Sequence, residues 1–195
     1  MGETSPSDAE LVRRAQDGDV QAFGLLVERH QDYVYNSVFH LVGDEKDTED
    51  LAQEVFVRAF DNLDGFEGRS KFTTWVYGIM LNMVRNYWRR SKRRNMLSLE
   101  RAREDETRPD IAPAAETDGP LRATMRGEDI AAVRCAIAEL NEDLREIIVL
   151  RDIRGMSYAE LASVLDVPEG TVKSRLYRAR QELKELLEPY FEETR

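Results

Sequence analysis

The chain has 195 residues, 42% of them hydrophobic and 34% charged, enough to build one domain or two small ones with a usable core. Its lone cysteine, Cys135, excludes an intramolecular disulfide and any cysteine-cluster metal site, and with only His30 and His40 beside it no metal or other cofactor is expected. The net charge of −10 argues at first sight against a nucleic-acid binder, because phosphate contacts need cations.

The start, MGETSPSDAE, is polar and acidic, unlike a signal peptide, and no apolar run approaches the roughly 20 residues of a membrane span. A cytoplasmic protein without membrane insertion is expected. A tail over 1–7 precedes a helical domain over 8–95. Its first short helix covers Asp8–Gln16 and ends at Gly18. A longer helix follows, with Ala22, Phe23, Leu26, Val27, Val34, Val38 and Leu41 as its apolar positions, and closes at Gly43. Asp47–Leu63 repeats Leu51, Val55, Ala59 and Leu63 every fourth residue, with Ala52, Phe56 and Phe60 beside them. Its outer face carries Asp47, Asp50, Gln53, Glu54 and Arg58, which reads either as simple solvation or as a docking face.

A loop over Asp64–Lys71, with Gly65 and Gly68, leads into an aromatic and basic helix. Phe72, Trp75, Val76 and Ile79 read as its core side. The polar edge holds Asn82, Arg85, Asn86, Arg89 and Arg90. From Arg69 to Arg94 there is no acid at all, so the overall negative charge hides a basic surface. Aromatic faces stack on unpaired bases while arginines hold the backbone, and a protein that opens duplex DNA needs such a platform.

Residues 96–127 carry Pro109, Pro113, Pro120 and Gly119 among many acids, which reads as a flexible linker or a partly ordered acidic arm. The helical pattern returns over 128–190, ahead of a short tail at 191–195. Ile130–Leu140 places Cys135 among Ile130, Val133, Ile137 and Leu140, where a small buried hydrophobe is expected. Asp143–Ile153 is stopped by Gly155. Ser157–Leu183 then reads as a helix-turn-helix. Ser157 and Glu160 stand at capping-box spacing, Asp166 occupies the turn, and Thr171 is placed as N-cap of the second helix. That helix ends near Pro189-Tyr190, exposes Lys173, Ser174, Arg175, Tyr177, Arg178 and Arg180, and turns Val172, Leu176 and Leu183 inward. The pattern is all-α, with no strand and no repeat.

In order, DTEDLAQEVFVRAFDNLDGF, FEGRSKFTTWVYGIMLNMVRNYWRR and LNEDLREIIVLRDIRGMSYAELASVLDVPEGTVKSRLYRARQEL resemble regions 2.2, 2.3–2.4 and 4 of the extracytoplasmic-function sigma factors of bacteria. The resemblance implies a non-catalytic protein that binds core RNA polymerase, through the β′ clamp helices and the β flap, and directs it to promoter DNA. It implies that Asp47, Asp50, Gln53, Glu54 and Arg58 meet the polymerase. The loop and helix carrying Phe66, Arg69, Ser70, Lys71, Phe72, Thr73, Asn82, Arg85, Asn86, Arg89 and Arg90 would face the −10 element. Thr171, Lys173, Ser174, Arg175, Tyr177 and Arg178 would face the −35 element, with Arg175 as a phosphate contact or support. A separate anti-sigma protein is expected as a partner. The main rival is a response regulator with a similar GTVKSR helix, which needs a receiver of alternating strands and helices. An enzyme is more distant, since no phosphate loop, nucleophile motif or metal constellation is present.

Overall fold

The computed structural model describes residues 5–104 and 121–192, and every regular element among them is helical. Helix α1 spans Asp8–Gln16, α2 Val20–Val42, α3 Glu45–Asp61 and α4 Phe72–Glu104. A single 3₁₀ turn at Leu63–Gly65 separates α3 from the loop before α4. Local chemistry sets these boundaries. Ser7, Asp19 and Asp44 each accept a bond from the amide three residues on, satisfying donors that a helix start leaves open. Gly43 closes α2 at φ +83°, a conformation that a side chain disfavours.

The second unit contains α5 (Leu121–Glu139), α6 (Glu142–Ile148), a π-helical turn at Val149–Ile153, α7 (Tyr158–Leu165) and α8 (Glu169–Glu192). The π turn lets the Arg154 amide reach the Val149 carbonyl at 3.0 Å, and Gly155 at φ +72° then redirects the chain into α7. The Ser157–Glu160 capping box forms as the spacing predicts. Among the described residues, Asp166 is the non-glycine residue held left-handed (φ 54°, ψ 50°), which ends α7 sharply enough for α8 to cross it. Leu161, Leu165, Val172, Leu176 and Ala179 lie buried at that crossing.

Several expectations are corrected. Helix α4 runs past residue 95 to Glu104 and α5 already begins at Leu121, so both ends of the expected linker are helical; residues 105–120 lie outside those described. Helix α8 starts at Glu169, so Thr171 is inside it rather than its N-cap. The Pro168 carbonyl accepts from both Thr171 and Val172, opening the helix three residues earlier than a Thr171 cap would. Helix α8 also continues through Pro189 to Glu192. Cys135 is exposed. Two residues on a helix are about 200° apart, so when Ile137 and Leu140 turn inward Cys135 must point away. Ile130 and Val133 are exposed with it. Phe60 is 43% exposed, its ring edge-on to Phe23 at 5.0 Å, and Trp75 and Ile79 are half-buried beside the core.

The two units are packed together. Helix α7 lies on α4, while α5 and the π turn lie on α2, and the buried apolar side chains form one continuous cluster.

Candidate nucleic-acid interface

Three surfaces can be built from the side chains. The first is the loop between α3 and α4. Phe66 packs on Trp75 at 4.9 Å and on Phe72 at 6.2 Å, an aromatic nest fixed by the start of α4. Beside it a cavity of about 610 Å³ is lined by Phe66, Ser70, Lys71, Phe72 and Thr73 from the loop, and by Asp8, Val12, Arg13 and Gln16 from α1. Gln16 donates to the carbonyls of Leu63 and Phe66, both at 2.9 Å, and so holds the loop's entry in place. Sequence reading missed this side chain. A glutamine at the end of a short helix gives no signal, because its acceptors are backbone groups of a distant loop. Arg69 is outside the cavity, 82% exposed at its side chain and paired with Glu67. Asn82 is exposed and does not line the cavity; helical rise sets it roughly 14 Å along α4 from Thr73.

Further along α4, Arg89 donates to the Asn86 side chain, and Arg89 and Arg90 face solvent. Arg85 is different. Its Nε and Nη2 donate to the two carboxylate oxygens of Glu146 on α6, at 2.7 and 2.6 Å. The Glu146 carboxylate raises the Arg85 pKa. Burial in turn pushes the Glu146 carboxyl above its ordinary range, against the pull of Arg85.

The second surface is the exposed side of α8. Lys173, Ser174, Tyr177 and Arg178 are all exposed there, with Tyr177 at 67%. The Lys173 ammonium stands 5.9 Å from the Tyr158 ring centroid, and the Ser174 hydroxyl donates to the Thr171 carbonyl. Arg175 is half-buried and 3.6 Å from Asp143, which fits support better than base reading. Arg180 is held bidentately by Asp152 at 2.6 and 3.0 Å, joining α8 to the π turn.

The third surface is the outer face of α3. Asp50, Gln53 and Glu54 are exposed, and Arg58 pairs with Glu54 one turn away at 2.6 Å. Gln53 also lines a groove of about 520 Å³ between α2 and α3, together with Tyr35, Glu49 and Phe56. Asp47, two turns before Glu54 on the same side of α3, is half-buried rather than exposed. It accepts the Tyr87 hydroxyl at 2.6 Å, and partial burial plus this bond push the Tyr87 pKa up to about 12. Val57, 58% exposed one turn from Gln53 and Glu54, is an apolar member that the charge pattern concealed.

Sigma-70 region 2 matches residues 26–94, and Sigma-70 region 4 matches residues 130–183. The chain is 37% identical to the RNA polymerase sigma-H factor of Pseudomonas aeruginosa over 97% of its own length and 98% of the relative's. This chain belongs to the extracytoplasmic-function group of the sigma-70 family. A second member, the ECF RNA polymerase sigma-E factor of Escherichia coli, is 39% identical over 94% of this chain and 95% of its own. Among solved structures, CnrH in complex with the cytosolic domain of CnrY is similar with a TM-score of 0.69 and 30% identity, covering 93% of this chain and 97% of that one. The sigma factor RpoE of Bartonella quintana, in complex with the anti-sigma factor NepR, gives 0.62 and 26%, covering 85% of this chain and 96% of that one. Sigma factors are transcription-initiation factors rather than enzymes. No helix among the described residues is long and apolar enough to cross a membrane.

Proposed function

We propose that this sigma factor divides promoter recognition between its two units. Residues 8–95 dock on core polymerase and handle the −10 element, residues 128–190 read the −35 element, and residues 96–127 connect them. The observation that carries this reading is the pairing of two different DNA-facing chemistries in one chain. Helix α8 offers an exposed polar and basic row, Lys173, Ser174, Tyr177 and Arg178, of the size and shape that enters a major groove. The α3–α4 loop offers instead an aromatic nest beside a cavity of about 610 Å³, large enough for a base that has left the stack. A duplex reader needs only the first. A factor that captures an opened strand needs both.

On this reading Phe66, Ser70, Lys71, Phe72 and Thr73 surround the captured base, with Gln16 holding the loop's shape. Arg69, Arg89 and Arg90 hold neighbouring phosphates, and Asn82 and Asn86 meet bases or backbone further along α4. Asp50, Gln53, Glu54 and Val57 form the docking face for the polymerase. The protein works in the cytoplasm, where polymerase and promoter DNA are. Control by an anti-sigma protein is supported by RpoE of Bartonella quintana, which was solved with such a partner.

The test is run-off transcription from genomic fragments with purified core polymerase. Specific transcripts that require both core and this chain are expected. Tight duplex binding by the chain alone, with no core-dependent initiation on any fragment, would favour a simple repressor or activator.

A further inference from the structure

Helix α1 forms one wall of the cavity beside the α3–α4 loop. Ala9, Val12, Arg13 and Gln16, spaced three and four apart, share one stripe of α1, and all four line the cavity. The space of about 610 Å³ therefore has two unlike sides. Phe66 and Phe72 supply the aromatic one. A ring offers a π-face on which every base stacks, so it holds a base without telling one from another. Base identity has to be read at the polar edges of the base, by hydrogen bonds.

Four charged side chains line the cavity: Asp8, Arg13, Glu67 and Lys71. Three of them are engaged. One Asp8 oxygen accepts from Arg29 at 2.5 Å, and the other lies 2.8 Å from Nε2 of the buried His30. Glu67 pairs with Arg69, and Lys71 with Glu160 at 2.8 Å. Arg13 has no hydrogen-bond or ion-pair partner among the described residues. Its neighbour Arg14 is tied to Asp19 at 2.7 Å and does not line the cavity. Gln16 uses both amide hydrogens on the carbonyls of Leu63 and Phe66, which leaves its Oε1 as an acceptor. The Thr73 hydroxyl, also without a partner among the described residues, stands on the loop side.

We propose that Arg13 of α1 is a specificity-determining residue of the −10 pocket, and that the base captured there is one with two adjacent acceptors, guanine or cytosine. The proposal rests on the reading of this cavity as the site that captures a base. A guanidinium donates through a planar fork and accepts nothing, so its match is a pair of acceptors side by side. Guanine has that pair in O6 and N7. Cytosine has it in O2 and N3, which are freed when its base pair breaks. Adenine carries its acceptors singly, with N1 and N7 each beside the amino group. Thymine separates its two carbonyls with N3–H. Guanine and cytosine also carry an amino group, for which Gln16 Oε1 and the Thr73 hydroxyl are acceptors on the same cavity wall. Helix α1 thus selects the base that the aromatic side holds.

Holoenzyme assembled from core polymerase and the full chain tests this on a genomic fragment that gives a run-off transcript, with its −10 segment randomised. Templates held in open complexes through a heparin challenge are sequenced. One position of the segment is expected to carry guanine or cytosine about tenfold over adenine and thymine. Arg13→Met, which keeps the stem and removes the fork, should bring that ratio below about twofold and leave the other −10 positions as they were. Arg13→Gln should shift the same position toward adenine, because a glutamine amide matches the N6–N7 edge. Either variant decides the matter if the other assembles poorly. Arg14→Gln removes a charge from the same helix away from the cavity and should leave the ratio intact. A segment with no such position overturns the proposal, as does a ratio that survives Arg13→Met, or a loss in both variants that falls equally on templates of every sequence. Those results leave the promoter reading standing, since core-dependent transcripts still form; absence of any core-dependent transcript with the unsubstituted chain removes the promoter reading itself.

Discussion

Helices α4 and α8 carry similar cations in opposite circumstances. On α8 the proposed reading row stands open: Lys173, Ser174, Tyr177 and Arg178 face solvent, while Arg175 and Arg180 are tied to Asp143 and Asp152. On α4 and its loop the tied cations are Lys71, Arg85 and Lys92, and their partners come from the other unit. The cations of the proposed −10 face are thus tied to the other unit, where those of the proposed −35 row are not. Residue type alone therefore does not say which basic face is available.

The largest expected effect comes from removing the seat of α8. Leu176→Ala deletes a side chain only 2% exposed and should cost about 2–5 kcal/mol of stability, read by urea unfolding. A loss under 1 kcal/mol (roughly one CH₂ group's worth of burial) would show that the helix-turn-helix does not depend on this crossing. Next, Asp50→Arg with Glu54→Arg should weaken binding to core polymerase by at least about tenfold, or ~1.4 kcal/mol, in a competition assay. Unchanged core affinity would sink the docking assignment of α3.

Arg178→Ala should cost about 1–3 kcal/mol of holoenzyme binding on a matched −35 sequence if it reads a base edge. The same loss on scrambled −35 DNA would make it a phosphate contact. Gln16→Leu sharpens the other side of the comparison. It removes the side-chain donor from the Phe66 carbonyl and from the Leu63 carbonyl, which keeps the Phe66 amide, a loss of about 1–3 kcal/mol in stability of the loop. Open-complex formation should fall while core affinity is kept; equal losses in both would make Gln16 merely structural.

The smallest effect is electrostatic. Bonds from Lys71 and Ser157 hold the Glu160 carboxyl down from its ordinary 4.5 to about 2. A carboxyl lowered by folding stabilises the fold above its unfolded pKa, and that contribution is lost as pH falls from about 4.5 through about 2. Thermal midpoints measured from pH 5 downward should therefore drop less steeply in Glu160→Gln than in the unsubstituted chain. Parallel slopes would show that Glu160 contributes nothing to the acid sensitivity of the fold.

What was legible in the sequence was local. The Ser157–Glu160 capping box, the left-handed Asp166 and the terminating Gly43 each depend on a few adjacent residues, and each is found where the spacing puts it. The face of α8 was legible because helical periodicity fixes it. Thr171 misled because the pull of Pro168 on the helix start is as local as that of a threonine cap, and it won. Cys135 misled because apolar neighbours in sequence are not neighbours on a helix face. The contact between the two units was not legible at all. Arg85 and Glu146 each sit in a plausible solvent-facing pattern, 61 residues apart, and only packing of the units shows that they meet.

The central claim is that this chain, with core polymerase, opens promoter DNA at the −10 element. Permanganate reactivity of unpaired thymines measures that directly on a fragment identified by run-off transcription. Reactive thymines around −10 are predicted only when core and this chain are both present, and they should be lost with Gln16→Leu before −35 protection is lost. Protection at −35 with no reactive thymine under any condition would contradict the claim and leave α8 as a duplex reader alone.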